Sequence, residues 1–208
     1  MLQRLVHDAA ALGVALSEHD AARLRQLLEE LAHWNQRFNL TGLTDFESMV
    51  SHHVLDSLAV HRYLHGAAIA DVGTGAGFPG LPLALVNPER RFTLIDSNGK
   101  KIRFVSHAVR TLGLMNAEPL QARVEALRPE RPFDTVLARA LAPLPQLLEA
   151  VAPLCGSDTR VLAMKGKWPQ DELDGLPPQW RMADSHTLTV PGLAEARCLI
   201  VLIPGVSH

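Results

Sequence analysis

Cysteine is nearly missing from this chain. Cys155 and Cys198 are the only two and form no CxxC pair, so neither a disulfide framework nor a four-cysteine zinc site can be built. Long apolar runs are missing as well: none approaches the roughly 18 residues of a bilayer span. The first residues, Met1-Leu2-Gln3-Arg4-Leu5-Val6-His7-Asp8, carry charge where a signal peptide keeps an apolar stretch. The cytoplasm is therefore the expected compartment, with no membrane partner. An excess of one charge is also lacking. Lys and Arg number 20 against 22 Asp and Glu, a formal net charge of −2, which excludes a generic polyanion binder and leaves any nucleic-acid contact to a local patch. Lysine is scarce, and its four copies fall in two pairs, Lys100-Lys101 and Lys165/Lys167. The small net charge and the lack of an apolar surface stripe make a monomer the expectation.

What is there is an ordinary globular composition, 47% hydrophobic and 20% charged over 208 residues, suited to one domain or one domain with an extension. The first ~65 residues read as helix. Ser17 and Asp20 have capping-box spacing and open a run in which Leu24, Leu27, Leu28, Leu31, Trp34 and Phe38 recur at helical steps, as core residues rather than stacking platforms. Thr44 with Glu47 predicts a second capping box, followed by one helix from Met49 to Tyr63 that Gly66 closes. From Ala67 the pattern alternates short apolar runs with helical stretches, as in a parallel α/β sheet. The runs are Ile69–Val72, Phe92–Ile95, Pro119–Gln121, Thr135–Ala138 and Arg160–Met164. His186–Val190 and Cys198–Ile203 predict an antiparallel pair finishing the sheet, with the second run as an inner strand. There is no internal repeat.

The strongest motif is Asp71-Val72-Gly73-Thr74-Gly75-Ala76-Gly77-Phe78-Pro79-Gly80, placed directly after the first strand and opening a helix. Glycines there permit a sharp turn and a close backbone approach by a ligand, and Pro79 suits a first helical turn. Asp96 follows Gly77 by 19 residues at the end of the next strand, where a carboxylate can accept both hydroxyls of a ribose. Two cofactors use such a loop. A dinucleotide frame, G-x-G-x-x-G, exists at Gly75, Gly77 and Gly80. The frame of an acid followed by G-x-G-x-G, at Asp71, Gly73, Gly75 and Gly77, is that of S-adenosylmethionine enzymes. A ligand carrying an ammonium and a sulfonium is favoured beside Asp71, and a pyrophosphate is repelled. After the third strand, Arg123-Val124-Glu125 is placed to cover an adenine, and the fourth strand ends at Arg139, on the carboxyl edge where such sheets bind ligands.

With these residues in place the chain resembles the RsmG (GidB) family of bacterial 16S rRNA guanine-N7 methyltransferases. The likeness runs nearly end to end: Trp34-Asn35, Asn39-Leu40-Thr41, His53-Val54-Leu55-Asp56-Ser57, the glycine loop, Leu94-Ile95-Asp96-Ser97, Gly99-Lys100, Arg123-Val124-Glu125, Arg139-Ala140 and Lys165-Gly166. It implies a Rossmann-like α/β sheet, mostly parallel with an antiparallel strand near the C-terminus, as an S-adenosylmethionine-dependent methyltransferase domain over residues 67–208 behind a helical extension over residues 1–66. It also implies cofactor contacts at Gly73, Phe78, Val124, Glu125 and Arg139, to which the motif reading adds Gly75, Gly77 and Asp96. The implied acceptor is the position-527 guanine of the decoding-region loop in 16S rRNA, met as naked RNA, as the 30S subunit or as its precursor.

Neutral guanine N7 carries a free lone pair, so its methylation needs no general base, only positioning. The run Ala138-Arg139-Ala140-Leu141-Ala142-Pro143 lacks the Asn/Asp-Pro-Pro-aromatic motif of N6-adenine enzymes, and no Pro-Cys pair supplies the thiolate of C5-cytosine enzymes. Arg139 and Arg123 are the catalytic candidates, to orient or read the guanine edge; sequence alone leaves open whether Arg139 serves the cofactor instead. Lys100, Arg103, Lys165 and Lys167 are the expected RNA contacts at the cavity mouth. His52, His53, His61 and His65 crowd one segment without the third ligand of a recognisable metal motif, so no metal is expected.

Overall fold

The computed structural model describes residues 2–205. Helices α1 (Leu2–Ala11) and α2 (Glu18–Phe38) come first. Ser17 caps α2 by accepting from Asp20 N at 3.0 Å, and Asn39 ends it in the left-handed region at φ 49°. The next cap lies one residue beyond the expected one: Asp45, not Thr44, accepts from Ser48 N at 2.8 Å and opens α3 (Phe46–Met49). The single helix expected from Met49 to Tyr63 is instead a composite. A π-helical turn, Val50–Leu55, separates α3 from α4 (Asp56–Leu58), and a 3₁₀ turn, His61–Tyr63, follows. Hydrophobic spacing cannot distinguish these, because each stretch is only about one turn long and too short to establish a period of its own.

The sheet part follows as β1 (Ala68–Val72), α5 (Gly80–Val86), β2 (Arg91–Asp96), α6 (Gly99–Thr111), β3 (Ala117–Gln121), β4 (Phe133–Arg139), α7 (Leu144–Val151), β5 (Cys155–Lys165), α8 (Gln170–Asp174), β6 (Trp180–Thr187) and β7 (Cys198–Pro204). Strand order is β3-β2-β1-β4-β5-β7-β6. The first five strands are parallel, and β7 runs antiparallel between β5 and β6. The five parallel strands and the inner position of β7 are as expected. The strand expected at His186–Val190 is displaced to Trp180–Thr187, and α8 has no counterpart in the hydrophobic pattern. β6 is an edge strand that is mostly exposed and carries a register shift between Met182 and Asp184, so no apolar alternation marks it.

Side chains alternate across β1. Ile69 joins one buried cluster with Leu24, Leu28, Leu55, Leu58, Leu81 and Phe104, whereas Ala70 and Val72 join another with Leu147, Leu148 and Val151. The N-terminal helices thus share a core with one face of the sheet, and α7 covers the other. Trp34 packs partly buried against Phe104 and His107 with centroids at 5.7 and 5.1 Å, but Phe38, expected in the core, is 37% exposed. It falls in the last turn of α2, beyond the reach of the sheet.

Candidate functional site

A cavity of about 810 Å³ opens at the carboxyl ends of β1, β2 and β4, the edge where parallel sheets place ligands. One wall is backbone. Gly73, Gly75 and Gly77 have φ of +66°, +61° and +89°, so the loop turns through conformations that side chains strain to adopt. A Cβ on Gly77 would collide with Leu81 Cδ1, whereas one on Gly75 would meet only Gly73 O, at 3.9 Å, because that position opens on the cavity. Phe78, 2% exposed, floors it.

Two carboxylates fix this wall in different ways. Asp96 lies at the cavity with Oδ2 accepting from Gly75 N at 3.0 Å and Oδ1 accepting from Asn98 N at 2.8 Å; Lys101 Nζ stands 3.8 Å from Oδ2. Its remaining lone pairs are available to ligand hydroxyls. Asp71, in contrast, does not meet the cavity. It is fully buried and accepts from Thr74 Oγ1 at 2.6 Å and Gly80 N at 2.8 Å through Oδ2, while Oδ1 has no partner. Burial pushes its carboxyl up to about 6. The expected direct attraction between Asp71 and a cationic ligand is therefore corrected: Asp71 braces the loop. Val124 and Glu125 enter the cavity on a 3₁₀ turn, Val124–Ala126, with exposed Arg123 just before it.

The opposite wall is made of side chains from distant segments. Leu40 and Thr41 follow α2, held by Asn35, whose amide bonds both the N–H and the carbonyl of Thr41 at 2.9 Å. His53 bonds Thr41 Oγ1 at 2.9 Å and stacks on Phe78 with centroids 4.6 Å apart. Burial, with the charge of Arg139 next, pushes His53 down to about 4, so it is neutral near pH 7. Arg139 Nη1 donates to His52 O at 2.9 Å and to Asp56 Oδ2 at 3.2 Å; Arg197 Nε donates to Asp56 Oδ1 at 3.2 Å. Sequence reasoning misses Arg197, although a signal exists. Because β7 is antiparallel to β5, its start lies at the carboxyl edge, and Arg197 immediately precedes it.

Of the expected basic contacts, Lys100, Arg103 and Lys167 are exposed. Lys165 lines the cavity but is held by Glu172 at 2.7 Å and Ala142 O at 3.1 Å. Lys101, not among the expected RNA contacts, lines the cavity directly. The histidines are dispersed: His61 pairs with Asn87 and His52 with Ser48 O, and among the described residues no group of three metal-ligating side chains converges.

The sheet order, its reversed β7 and the glycine-loop cavity define a Rossmann-like methyltransferase fold. Solved structures with that fold include a SAM dependent methyltransferase from Aquifex aeolicus, at a TM-score of 0.57 and 19% identity over 75% of this chain and 93% of that one. TrmN from Thermus thermophilus aligns at 0.58 and 20% identity, over 82% of this chain and 53% of its own. Sequence is more specific. The GidB family, described as rRNA small subunit methyltransferase G, matches residues 20–201, and the chain belongs to it. Relatives named "Ribosomal RNA small subunit methyltransferase G" are 44% identical in Alteromonas mediterranea, over 95% of this chain and 94% of that protein, and 46% identical in Pseudomonas aeruginosa, over 95% and 93%.

Proposed function

We propose that the chain transfers a methyl group from S-adenosyl-L-methionine to N7 of a guanine in small-subunit 16S rRNA, the position-527 guanine of the decoding-region loop. The observation that carries this reading is one cavity with a glycine-loop wall facing an arginine-bearing wall, in a chain of the GidB family. The cofactor fits the first wall: Gly75 leaves open the space a side chain would fill, and Asp96 keeps free acceptor capacity for a ribose diol. Gly73, Phe78, Val124 and Glu125 complete that contact surface; Gly77, expected there, instead lies outside the cavity lining and shapes the turn against Leu81. When bound, the cofactor supplies an electrophilic methyl on a sulfonium centre.

The protein's own task is then to bind, orient and exclude water. Neutral guanine N7 attacks with a lone pair already free, so no residue has to remove a proton. This chemistry limits what an arginine can do. An N–H donated to N7 would occupy the attacking pair, so Arg139 and Arg123 serve the acceptor nucleotide through other atoms. Arg139 belongs to the acceptor side, since Nη1 is committed to His52 O and Asp56 on the wall facing the glycine loop. Exposed Lys100, Arg103 and Lys167 steer RNA phosphates, whereas Lys165, which lines the cavity, is held by Glu172. Residues 1–66 act as a helical extension shaping the acceptor wall, and residues 67–208 as the methyltransferase domain. The enzyme works as a cytoplasmic monomer on 16S rRNA, in the 30S subunit or its precursor.

The test is transfer of labelled methyl to 30S subunits and to 16S rRNA from cells lacking this activity, mapped by borohydride and aniline cleavage at N7-methylguanosine. One labelled cleavage in the decoding-region loop is expected. Cofactor binding without any label in RNA would overturn the reading.

A further inference from the structure

On the acceptor wall, Asp56 is 4% exposed and sits between two guanidiniums that come from distant parts of the sequence, Arg139 at the end of β4 and Arg197 before β7. The π-helical turn makes this arrangement possible. Asp56 N–H bonds His53 O and Ser51 O, three and five residues back, and not His52 O, four back as in an α-helix. His52 O is left to accept Arg139 Nη1 at 2.9 Å. Arg197 is fixed independently: its carbonyl accepts from Leu188 N at 2.8 Å at the base of the β6–β7 hairpin, and its Nη1 donates to Ala196 O at 2.9 Å. Among the described residues, Nε and Nη2 of Arg139 and Nη2 of Arg197 have no hydrogen-bond partner, the Arg139 guanidinium lies over the Phe78 ring at 5.8 Å, and Asp56, Arg139 and Arg197 all line the cavity.

Charge then identifies the ligand. Two guanidiniums against one carboxylate leave one positive charge on this wall. Glu195, 61% exposed, reaches His52 at 3.8 Å and feels the charge of Arg197 without pairing with it, and solvent screens it. Lys165 is neutralised by Glu172. His52 and His53 face the same group, and His53 is held neutral by its burial. A single uncompensated guanidinium charge with several free N–H groups suits a phosphate monoanion, which arginine binds by paired donors. It does not suit the reacting N7, whose lone pair must stay free.

We propose that Arg139 and Arg197, set by Asp56 as a positioning residue, form an anion site for a phosphodiester of the acceptor strand. The site holds the acceptor nucleotide against the cofactor wall, and Arg197 is a binding residue of the reaction. This rests on the RNA-methyltransferase reading above.

The test uses the full chain as wild type, Arg197→Gln, Arg197→Lys, Asp56→Asn and the double variant Arg197→Gln/Asp56→Asn. Labelled methyl transfer to unmethylated 30S subunits gives kcat and KM, RNA binding is titrated over a salt series, and S-adenosylhomocysteine affinity is measured in parallel. Arg197→Gln is expected to weaken RNA binding roughly tenfold, the loss of one charged hydrogen-bonding contact, and to flatten the slope of log affinity against log salt by about 0.7, one single-strand phosphate. S-adenosylhomocysteine affinity stays within about twofold, since the lost contact faces RNA alone. Arg197→Lys restores the salt slope, because it restores charge, but not kcat, because it lacks the fork. Asp56→Asn lowers kcat with the slope kept, and the double variant is less than additive because the two residues act as a unit. An unchanged salt slope in Arg197→Gln overturns the site, even if activity falls. Strict additivity overturns the positioning role of Asp56. If Asp56→Asn fails to fold, the two Arg197 variants decide alone. A wild type that binds S-adenosylhomocysteine but methylates no RNA defeats the function itself, an outcome distinct from these.

Discussion

The two walls of the cavity are built in opposite ways. The glycine-loop wall, proposed for the cofactor, is backbone and local: residues 73–80 turn on three left-handed glycines, and Asp96 ties Gly75 N across to the neighbouring strand. The arginine-bearing wall, proposed for the acceptor, is side chain and non-local, with Asp56 and Arg197 meeting across 141 residues of sequence. A backbone wall is specified by where glycine is required, so single substitutions there act through strain. A side-chain wall is specified by charge balance, and single substitutions there act by leaving a partner uncompensated.

The largest expected effect breaks the second wall. Asp56→Ala leaves two half-buried guanidiniums facing each other without their shared carboxylate, and removal of one member of such a buried cluster costs about 3 kcal/mol. Denaturant unfolding of the variant checks this, and a loss no larger than about 0.5 kcal/mol would place the cluster in solvent. On the first wall, Gly77→Ala forces a Cβ onto Leu81, itself fully buried, at a φ of +89°; overpacking and left-handed strain together cost about 2 kcal/mol, with cofactor affinity falling alongside stability.

A third prediction uses pH to set one wall against the other. The Asp71 carboxyl is raised from 3.8 to about 6, so the folded state holds a proton more tightly than the unfolded chain, and stability from this group is lost as pH rises through the window from about 4 to 6. His53 is lowered from 6.5 to about 4, so its contribution runs the other way, being lost as pH falls from about 6.5 through 4. Each swing is on the order of 3 kcal/mol, and in the wild type they largely cancel. In urea titrations across this window, Asp71→Asn gains stability with rising pH and His53→Gln loses it; parallel profiles for the two would refute the opposition. The smallest effect is at the exposed surface. Lys100→Gln removes one exposed charge, expected to flatten the salt dependence of RNA binding by no more than about 0.7 and to leave the cofactor untouched.

The same contrast separates what is legible in the sequence from what is not. The glycine loop, Asp96 and Val124-Glu125 can be located from sequence because each follows a strand end, and strand ends are marked by short apolar runs. The five parallel strands follow from the same signal. Arg197 carries no local mark, and its role depends on the direction of β7. Phe38 continues an apolar stripe that the fold then leaves in solvent. The π-helical turn that frees His52 O is invisible in hydrophobic spacing. Asp71 stands in the right motif, but its carboxylate points into the loop rather than the cavity, a matter of which face of β1 it occupies.

The central claim is that one cavity has two separable walls, one for the cofactor and one for the acceptor. Equilibrium binding of S-adenosylhomocysteine to wild type, Asp96→Asn and Arg197→Gln tests it most directly. The account predicts affinity lowered roughly tenfold by Asp96→Asn, the loss of a charged acceptor, and unchanged by Arg197→Gln. Equal loss in both variants would contradict it.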